Sequence, residues 1–231
     1  MPNSNGKKSV REDHTRKAFN GIRQLLFHNE IAPGQKIVYG DLAKRLGMSP
    51  TPVIQALKWL EFQGIVRREP NRGYFTEPVS LKEVREIYDM RALVELSLLP
   101  KTIEHLDETG IILLKRSLEE HRQASSRVYL NERLLKDMDF HLTLASLSGC
   151  SVQQKVLKDL FDLLYLKYRA SVLFVNFMES VDTAHQGVFD AVTRRDPDGA
   201  SKVLKTHIIE VKHHVLEGLS RMIAEKEDST F

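Results

Sequence analysis

The character of the sequence changes at Pro78, and this change constrains the fold more than any other feature. Before Pro78, glycines and prolines separate short apolar-periodic segments and two short strand-like runs. After Pro78, apolar residues recur at helical spacing over long segments, and no further strand pattern is found. We therefore predict a mainly α chain in three parts: a disordered tail at 1–13, a first domain at 14–79 and an all-helical domain at 80–231.

The first domain contains three short helical patterns followed by two strands. We expect the helices at 14–29, 39–46 and 50–62, and the strands at 65–68 and 73–76. Ser49 suits the N-cap of the third helix, and Pro50 suits its first position. Gly47 permits the tight turn that lets the third helix project. Three helices and a basic two-stranded wing form a winged helix-turn-helix, which favours DNA binding over a helical hairpin with no role on DNA.

The distribution of charge supports an anion-binding first domain. Residues 1–79 hold 13 Lys and Arg residues against 7 Asp and Glu residues, whereas residues 80–231 hold 21 against 24. A basic module ahead of a mildly acidic one is typical of an anion-binding head on a regulatory or catalytic body. Ordinary scatter of surface charge is the alternative that these counts leave open.

The composition excludes several classes of protein. With 42% hydrophobic and 28% charged residues, the chain can bury a packed core and is not a disordered polymer. A single cysteine excludes a disulfide framework and a cysteine-based zinc site, and it is typical of a reducing compartment. The longest strongly apolar stretch, near 170–178, is far shorter than the ~20 residues of a membrane span. The N-terminus has no apolar signal region, so we expect a soluble cytoplasmic protein.

The second domain is predicted to be an antiparallel helical bundle. We expect its helices at 80–107, 108–125, 127–147, 151–178, 180–195 and 198–225. Pro100 is expected to break or kink the first of these helices. Gly149 marks the turn after the third helix, and the Asp196-Pro197-Asp198-Gly199 segment marks the turn before the last one.

Three of the nine histidines lie on apolar helical stripes, and an aspartate accompanies one of them. His141 follows Asp137 by four residues, so both side chains project from one helix face. His185 and His207 are about equally far from Pro197, so antiparallel packing would bring the two imidazoles level. One carboxylate oxygen and three imidazole nitrogens suit one divalent ion per subunit, and we predict Zn²⁺, with Ni²⁺ or Mn²⁺ as alternatives. Three independent core histidines are the other interpretation.

Other notable side chains have simpler explanations. The remaining histidines lack such surroundings and are expected at the surface: His14, His28, His105, His121, His213 and His214. Trp59 in the third helix is expected to pack against the first helix rather than to stack on a base.

Two stretches of the sequence resemble a known family. The DNA-binding module of GntR-type bacterial transcription regulators is similar to the segment PGQKIVYGDLAKRLGMSPTPVIQALKWLEFQGIVRREPNRGYF. The ligand-sensing FCD domain of the FadR-like branch is similar to the stretch DMDFHLTLASLSG, with His185 and His207 downstream. Together these stretches extend the resemblance over about residues 15–225, which is nearly the whole chain.

The resemblance implies a metal site, an effector and a partner. Asp137, His141, His185 and His207 match the family's metal ligands one for one. In the family, the metal lies at the base of a cavity, where it meets the carboxylate of a small organic acid. Family members are homodimers that bind palindromic operators in double-stranded DNA and respond there to the effector. The expected partners are therefore a DNA operator, a small carboxylate and a second copy of the chain.

The third helix departs from the pattern of this family. Family members commonly carry Arg at the positions of Pro50 and Ile54. Because Arg is the usual bidentate partner of guanine, two guanine-reading groups are missing, whereas Gln55 can pair with adenine. Basic side chains are expected to contact phosphate. The residues that we expect to contact DNA are Lys44, Arg45, Ser49, Thr51, Gln55, Lys58, Arg72 and Gly73.

Arg91, on the first helix of the second domain, is a candidate to clamp the carboxylate of the effector, with a surface ion pair as the alternative.

We predict a transcription regulator without catalytic residues, controlled by a small organic acid at its metal-containing domain. A metal-dependent hydrolase that uses the Asp and His side chains is the alternative. The sequence contains no HExxH motif and no carboxylate placed as an obvious general base for a metal-bound water.

Overall fold

A computed structural model of the chain describes residues 4–125, 130–167 and 178–228. One compact unit contains the chain up to Val79, and a second contains most of the chain from Ser80 onward. Helices dominate the described residues and the strands lie in the first unit, which confirms the predicted mainly α fold with a small β-wing. In this described part of the chain, no helix is both long and apolar enough to cross a membrane.

The first unit combines short helices with a three-stranded antiparallel sheet. Its elements are α1 (Ser4–Phe27), β1 (Lys36–Ile37), α2 (Tyr39–Arg45), α3 (Pro50–Phe62), β2 (Val66–Glu69) and β3 (Gly73–Thr76). Strand β3 lies between β1 and β2 and pairs antiparallel with both. The predicted wing strands are therefore present. Strand β1 was not predicted, because two residues are too few to show the alternation of a strand.

Helices α2 and α3 end in the same glycine motif. After α2, Gly47 has a φ of 64°, and its amide donates to the carbonyl of Lys44. The amide of Met48 donates to the carbonyl of Ala43 at 2.9 Å. These two hydrogen bonds form a Schellman motif, in which glycine adopts the left-handed conformation at no steric cost. Gly64, with a φ of 72°, ends α3 in the same manner.

The start of α3 lies where the sequence predicted it. Ser49 has an extended backbone at the N-cap (φ −72°, ψ 157°), and Pro50 follows as the first helical residue. The side chain of Ser49 makes no capping hydrogen bond. An N-cap side chain bonds to the amide of the second or third helical residue, and Pro52 at the third position has no N–H.

Helix α1 packs against α3 and forms the core of the first unit. Ile22, Val53 and Leu57 are completely buried. Trp59 contacts Phe19 edge to face, with 5.9 Å between the ring centroids, as expected for a packing residue.

The predicted disordered tail at 1–13 differs from the structure, because α1 begins at Ser4 rather than near His14. Lys, Arg and Glu have good helix propensity, and no proline interrupts the segment from Ser4 to Phe27. The helical pattern can therefore extend through the polar segment toward the N-terminus.

The second unit is a helical bundle. Its described elements are α4 (Leu81–His105), α5 (Glu108–Ser125), α6 (Leu130–Ser146), α7 (Ser151–Lys167), α8 (Met178–Thr193) and α9 (Pro197–Asp228). Helix α4 packs against α6 and α9, α5 against α6 and α8, and α8 against α9. Pro100 lies inside α4, which continues to His105, so the predicted break does not occur. The start of the helix predicted at 127–147 and the end of the one predicted at 151–178 lie outside the described residues.

The turn between α8 and α9 ties both helices to the end of α4. Arg195 donates from its guanidinium to the carbonyl of Ile103 at 2.7 Å and to that of Leu106 at 2.9 Å. The Asp196 carboxylate accepts the amide of Gly199 at 2.9 Å, which caps the first turn of α9. This turn therefore fixes where α8 and α9 stand relative to α4.

We predict that Gly199→Ala destabilises the second unit. A Cβ at this position would lie 2.1 Å from Asp196 Oδ2, so the capping carboxylate would have to move. Loss of an N-cap costs about 1 kcal/mol, which lowers the melting temperature of a domain of this size by about 2–4 °C. The measurement is thermal unfolding followed by circular dichroism. Gly40→Ala in α2 is the matched control, since an added Cβ there meets no atom within 4 Å and the melting temperature should not fall.

Candidate functional site

Four buried side chains from three helices of the second unit come together at one point. Asp137 and His141 lie on α6, His185 lies on α8 and His207 lies on α9. One oxygen or nitrogen from each side chain lies within 4.8 Å of the others. The structure therefore brings together the four residues that the sequence analysis proposed as metal ligands. We refer to these four residues as the Asp/His cluster.

The distances inside the Asp/His cluster are compatible with ligands around a single ion. Nε2 of His185 lies 3.3 Å from Nε2 of His141 and 3.4 Å from Oδ1 of Asp137. Nε2 of His141 lies 3.9 Å from the same oxygen. Ligand atoms that each lie about 2.1 Å from one metal ion are separated from each other by roughly 3–4 Å. The donor atoms can thus share one ion with little rearrangement.

A buried carboxylate sets the orientation of the His141 ring. Oε2 of Glu95, on α4, lies 2.6 Å from Nδ1 of His141. Burial by itself raises the pKa of Glu95, but the charges of His141 and Arg91 outweigh it and lower its pKa to about 2. Glu95 is therefore ionised and can only accept a hydrogen bond, so Nδ1 carries a proton. The lone pair of a neutral His141 ring then lies on Nε2, which faces the Asp/His cluster.

Burial also determines the charge of the other cluster members. It lowers the pKa of His207 to about 3, with His141 adding to the effect. Burial together with the neighbouring histidines lowers the pKa of His185 well below its usual value. The pKa of Asp137 is lowered because the nearby histidines outweigh its burial. Around neutral pH, His185 and His207 are neutral and Asp137 is ionised, which are the forms that bind a metal ion.

The ring of His185 is positioned by packing rather than by a hydrogen bond at Nδ1. This atom is buried and has no hydrogen-bond partner within the described part of the chain. Its ring is held instead by neighbouring rings, with centroids 4.4 Å from Phe140 and 4.7 Å from His207. Its Nε2 contacts His141 and Asp137, so ring packing and these two contacts position His185.

Arg91 is buried and paired rather than placed at the surface. Its side chain is 2% exposed, and its Nε donates to Oε1 of Glu95 at 2.9 Å. The guanidinium lies 4.1 Å from the ring centroid of Phe161. Arg91, Glu95 and His141 form a hydrogen-bonded chain that ends at the Asp/His cluster. A surface ion pair does not describe this buried position, and Arg91 supports the carboxylate that orients His141. Its role as a clamp for the effector carboxylate stays a prediction.

His121 was predicted at the surface, and this prediction is wrong. Its side chain is completely buried, and its ring centroid lies 4.6 Å from that of His185. The apolar stripe of α5 contains Leu114 and Leu118, seven and three residues before His121, and this spacing could have revealed the burial. Of the other histidines predicted at the surface, His14, His28, His105 and His213 are exposed and His214 is half-buried.

A second polar group, which no sequence pattern predicted, adjoins the Asp/His cluster. The carboxylate of Asp182 on α8 lies 3.1 Å from Nδ1 of His121 and 3.7 Å from a terminal nitrogen of Arg133. Arg133 is 2% exposed, and burial lowers its pKa. The surroundings of the cluster therefore contain two buried guanidinium groups, those of Arg91 and Arg133.

In the first unit, most of the residues predicted to contact DNA lie at the surface. Lys44, Arg45, Ser49, Thr51, Lys58 and Arg72 are exposed, and Gln55 and Gly73 are half-buried. Arg45 pairs with Glu30, and Arg72 pairs with Glu69 at the wing. Gly73 has a φ of 100°, a conformation that glycine adopts readily, so it shapes the turn between β2 and β3.

Comparison with known families explains this combination of units. Residues 15–76 match the model described as bacterial regulatory proteins of the gntR family, and residues 86–210 match the FCD domain. The chain belongs to the gntR family of bacterial regulatory proteins. All four members of the Asp/His cluster, together with Glu95, lie inside the FCD match. This gntR-family chain is accordingly a transcriptional regulator with an FCD domain.

Individual relatives support the family assignment over most of the chain. An uncharacterised transcriptional regulator of Bacillus subtilis, YdhC, is 23% identical over 212 residues, which cover 91% of this chain and 93% of the relative. A regulator from an unstable DNA locus of Streptomyces ambofaciens is 30% identical over 212 residues, 90% of this chain and 85% of the relative. The structure of Escherichia coli McbR/YncC has a TM-score of 0.78 at 20% identity and covers 88% of this chain and 97% of its own.

We predict that Glu95→Ala strongly destabilises the second unit. The substitution removes the acceptor of His141 and the partner of the buried guanidinium of Arg91. Breaking a buried ion pair by removing one partner costs about 3–5 kcal/mol. Urea-induced unfolding measures the change.

Glu104→Ala is the matched control for this prediction. It removes a carboxylate on the same helix whose partner, Lys101, is 54% exposed. Exposed ion pairs contribute little to stability, so the unfolding midpoint should hardly change. Similar losses in the two variants would contradict the role assigned to Glu95.

Proposed function

We propose that this gntR-family regulator holds one divalent ion per subunit in the Asp/His cluster and binds a small organic-acid effector at that ion. In this proposal it acts as a homodimer on a palindromic DNA operator in the cytoplasm. The observation that carries the proposal is the convergence of four buried ligand atoms within 4.8 Å of one another. The orientation of His141 by ionised Glu95 adds to it, because metal-binding histidines commonly donate their second nitrogen to a carboxylate.

The donor set favours a borderline divalent ion. One carboxylate oxygen and three imidazole nitrogens suit Zn²⁺, with Ni²⁺ or Mn²⁺ as alternatives. Four protein ligands leave coordination positions for a further ligand when the ion expands its shell. Such an ion would supply a strong attraction for an anionic oxygen, while the helices supply a buried setting.

The charge balance around the Asp/His cluster supports an anionic effector. Among the described residues there, Arg91 and Arg133 contribute two positive charges. Glu95, Asp137 and Asp182 contribute three negative charges, and His141, His185 and His207 are neutral when they bind an ion. These groups together with a bound divalent ion would carry an excess of one positive charge. Because an unbalanced charge is costly in a buried setting, a ligand with a single carboxylate would complement the loaded site.

In the first unit, different residues are suited to contacting the DNA phosphates and to reading the base sequence. Lys44, Arg45, Lys58 and Arg72 are suited to phosphate contacts, because each is a basic side chain at the surface. Ser49 and Gly73 lie at the edges of the helix-turn-helix and the wing, where hydroxyl and backbone groups can also reach phosphate. Thr51 and Gln55 lie on α3, the helix that enters the major groove in proteins with this motif.

The family assignment gives no support to the alternative of a metal-dependent hydrolase. The relatives are named as transcriptional regulators, and Escherichia coli RspR and GlaR, at 24% and 26% identity, are named as transcriptional repressors. A regulatory function also accounts for the winged helix, which a hydrolase would not need.

We predict that bound metal stabilises the second unit. An ion that binds only the folded state contributes RT ln(1 + [M]/Kd), about 4 kcal/mol at a thousand times Kd. Removal by a chelator should lower the melting temperature by several degrees, and added Zn²⁺ should restore it. His207→Ala should abolish this response, whereas His213→Ala, an exposed histidine on the same helix, should retain it. Purified protein with much less than one equivalent of metal, and no response to Zn²⁺, Ni²⁺ or Mn²⁺, would contradict the site.

We further predict that phosphate contacts and base contacts can be separated by salt dependence. Lys44→Ala and Lys58→Ala should weaken binding similarly on all duplexes and reduce the slope of log affinity against log salt by about one each. Gln55→Ala should instead change the preferred sequence. Binding is measured by fluorescence anisotropy at several salt concentrations. Lys115→Ala, an exposed lysine on α5, is the control that should leave both quantities unchanged. Equal, salt-independent losses of affinity in Lys44→Ala, Lys58→Ala and Gln55→Ala would contradict this separation.

A further inference from the structure

The outer face of α3 has an unusual composition for a helix in a basic domain. Its inner face is buried and consists of Pro52, Val53, Ala56, Leu57 and Leu60. The opposite face carries Thr51, Ile54, Gln55 and Lys58, which follow the spacing i, i+3, i+4 and i+7. Thr51 and Lys58 are exposed, while Ile54 and Gln55 are half-buried.

Ile54 extends an apolar strip along this outer face. Pro50 and Thr51 precede it by four and three residues, so their side chains are its neighbours on the helix surface. The ring of Pro50, the methyl of Thr51 and the side chain of Ile54 together form an apolar edge beside the amide of Gln55. Val53 and Leu57 are completely buried, whereas Ile54 is half-buried and keeps part of its side chain at the surface of α3.

The first turn of α3 offers few amide donors. The amides of the first helical residues ordinarily bind phosphate or a capping side chain. Here Pro50 and Pro52 have no N–H, and of the first three residues only Thr51 retains one. The end of the helix that leads into the groove therefore presents apolar surface where such helices commonly present hydrogen-bond donors.

This set of groups corresponds to the major-groove edge of A·T pairs. Thymine presents a methyl group, which apolar side chains contact, and adenine presents N6 and N7, which the amide of Gln can bind with two hydrogen bonds. Guanine is read mainly by Arg or Lys, and the first two turns of α3, from Pro50 to Leu57, contain neither.

We infer that this regulator reads A·T pairs in each operator half-site, with Ile54 against a thymine methyl and Gln55 on the major-groove edge of an adenine. The inference rests on the proposed entry of α3 into the major groove and adds the base class that it recognises. Ile54 and Gln55 are thus specificity-determining residues, while Lys58, one turn further along the same face, is suited to the adjoining phosphate.

The experiment begins with selection of duplexes from a random 30-bp library by the purified full-length protein. We expect enrichment of a two-fold-related site with A·T pairs at the centre of each half-site. In the selected duplex, single thymines are then replaced by uracil, which keeps the base pair and removes only the methyl group. At the contacted position, uracil should lower the affinity of the wild-type protein about four-fold. This factor corresponds to the free energy of burying one methyl group.

The variants link this loss to one side chain. Ile54→Ala should bind the thymine duplex about as weakly as the wild type binds the uracil duplex, and uracil should cause no further loss. Ile54→Val retains a methyl-bearing side chain and should stay sensitive to uracil. Replacement of the contacted adenine by 7-deazaadenine should lower the affinity of the wild type by about ten-fold. It should not lower the affinity of Gln55→Ala. Melting temperatures of the variants show whether α3 remains folded.

The possible outcomes separate this inference from the function on which it rests. Half-sites built on G·C pairs, or equal sensitivity to uracil in the wild type and Ile54→Ala, would overturn the inference and leave DNA regulation intact. Absence of binding to every duplex in the library would overturn the proposed operator binding itself.

Discussion

The 2.6 Å contact between Glu95 and His141 is the interaction on which the arrangement of the second unit most depends. It joins α4 to α6 in the interior, where an unpaired carboxylate would be very costly. Arg91 holds the other oxygen of Glu95, so the carboxylate is compensated from both sides. The consequence for function is geometric, because a fixed proton on Nδ1 directs Nε2 of His141 toward Asp137 and His185. The same hydrogen bond therefore stabilises the packing of α4 against α6 and orients a candidate ligand.

The remaining ligands depend on a different constraint, the hairpin formed by α8 and α9. Asp196 caps α9, and Arg195 attaches the turn to the carbonyls at the end of α4. His185 and His207 lie about equally far from this turn. The attachment of the turn to α4 therefore fixes how far along α4 both imidazoles lie. Glu95 also lies on α4. Helix α4 thus fixes the positions of all three imidazoles, although it contributes none of the four ligands.

The first unit is determined more locally. Glycine-ended helices, a proline at the start of α3 and a left-handed glycine in the wing turn are specified by residues within a few positions of each structure they form. These signals explain why the winged helix could be predicted closely from the sequence. Ser49 occupies the predicted N-cap without a capping hydrogen bond, and Pro52 removes one of the two amides that such a bond could use.

The sequence by itself determined the mainly α fold, the winged helix and the candidate ligands Asp137, His141, His185 and His207, because helical periodicity and turn residues are encoded in short segments. It could not determine the surroundings of those ligands. Glu95 and Arg91 lie more than forty residues before His141, and the burial of His121 depends on α5 packing between α6 and α8. Such contacts join segments that no local pattern connects. Only the packing of the helices decided which polar groups became buried partners and which stayed in water.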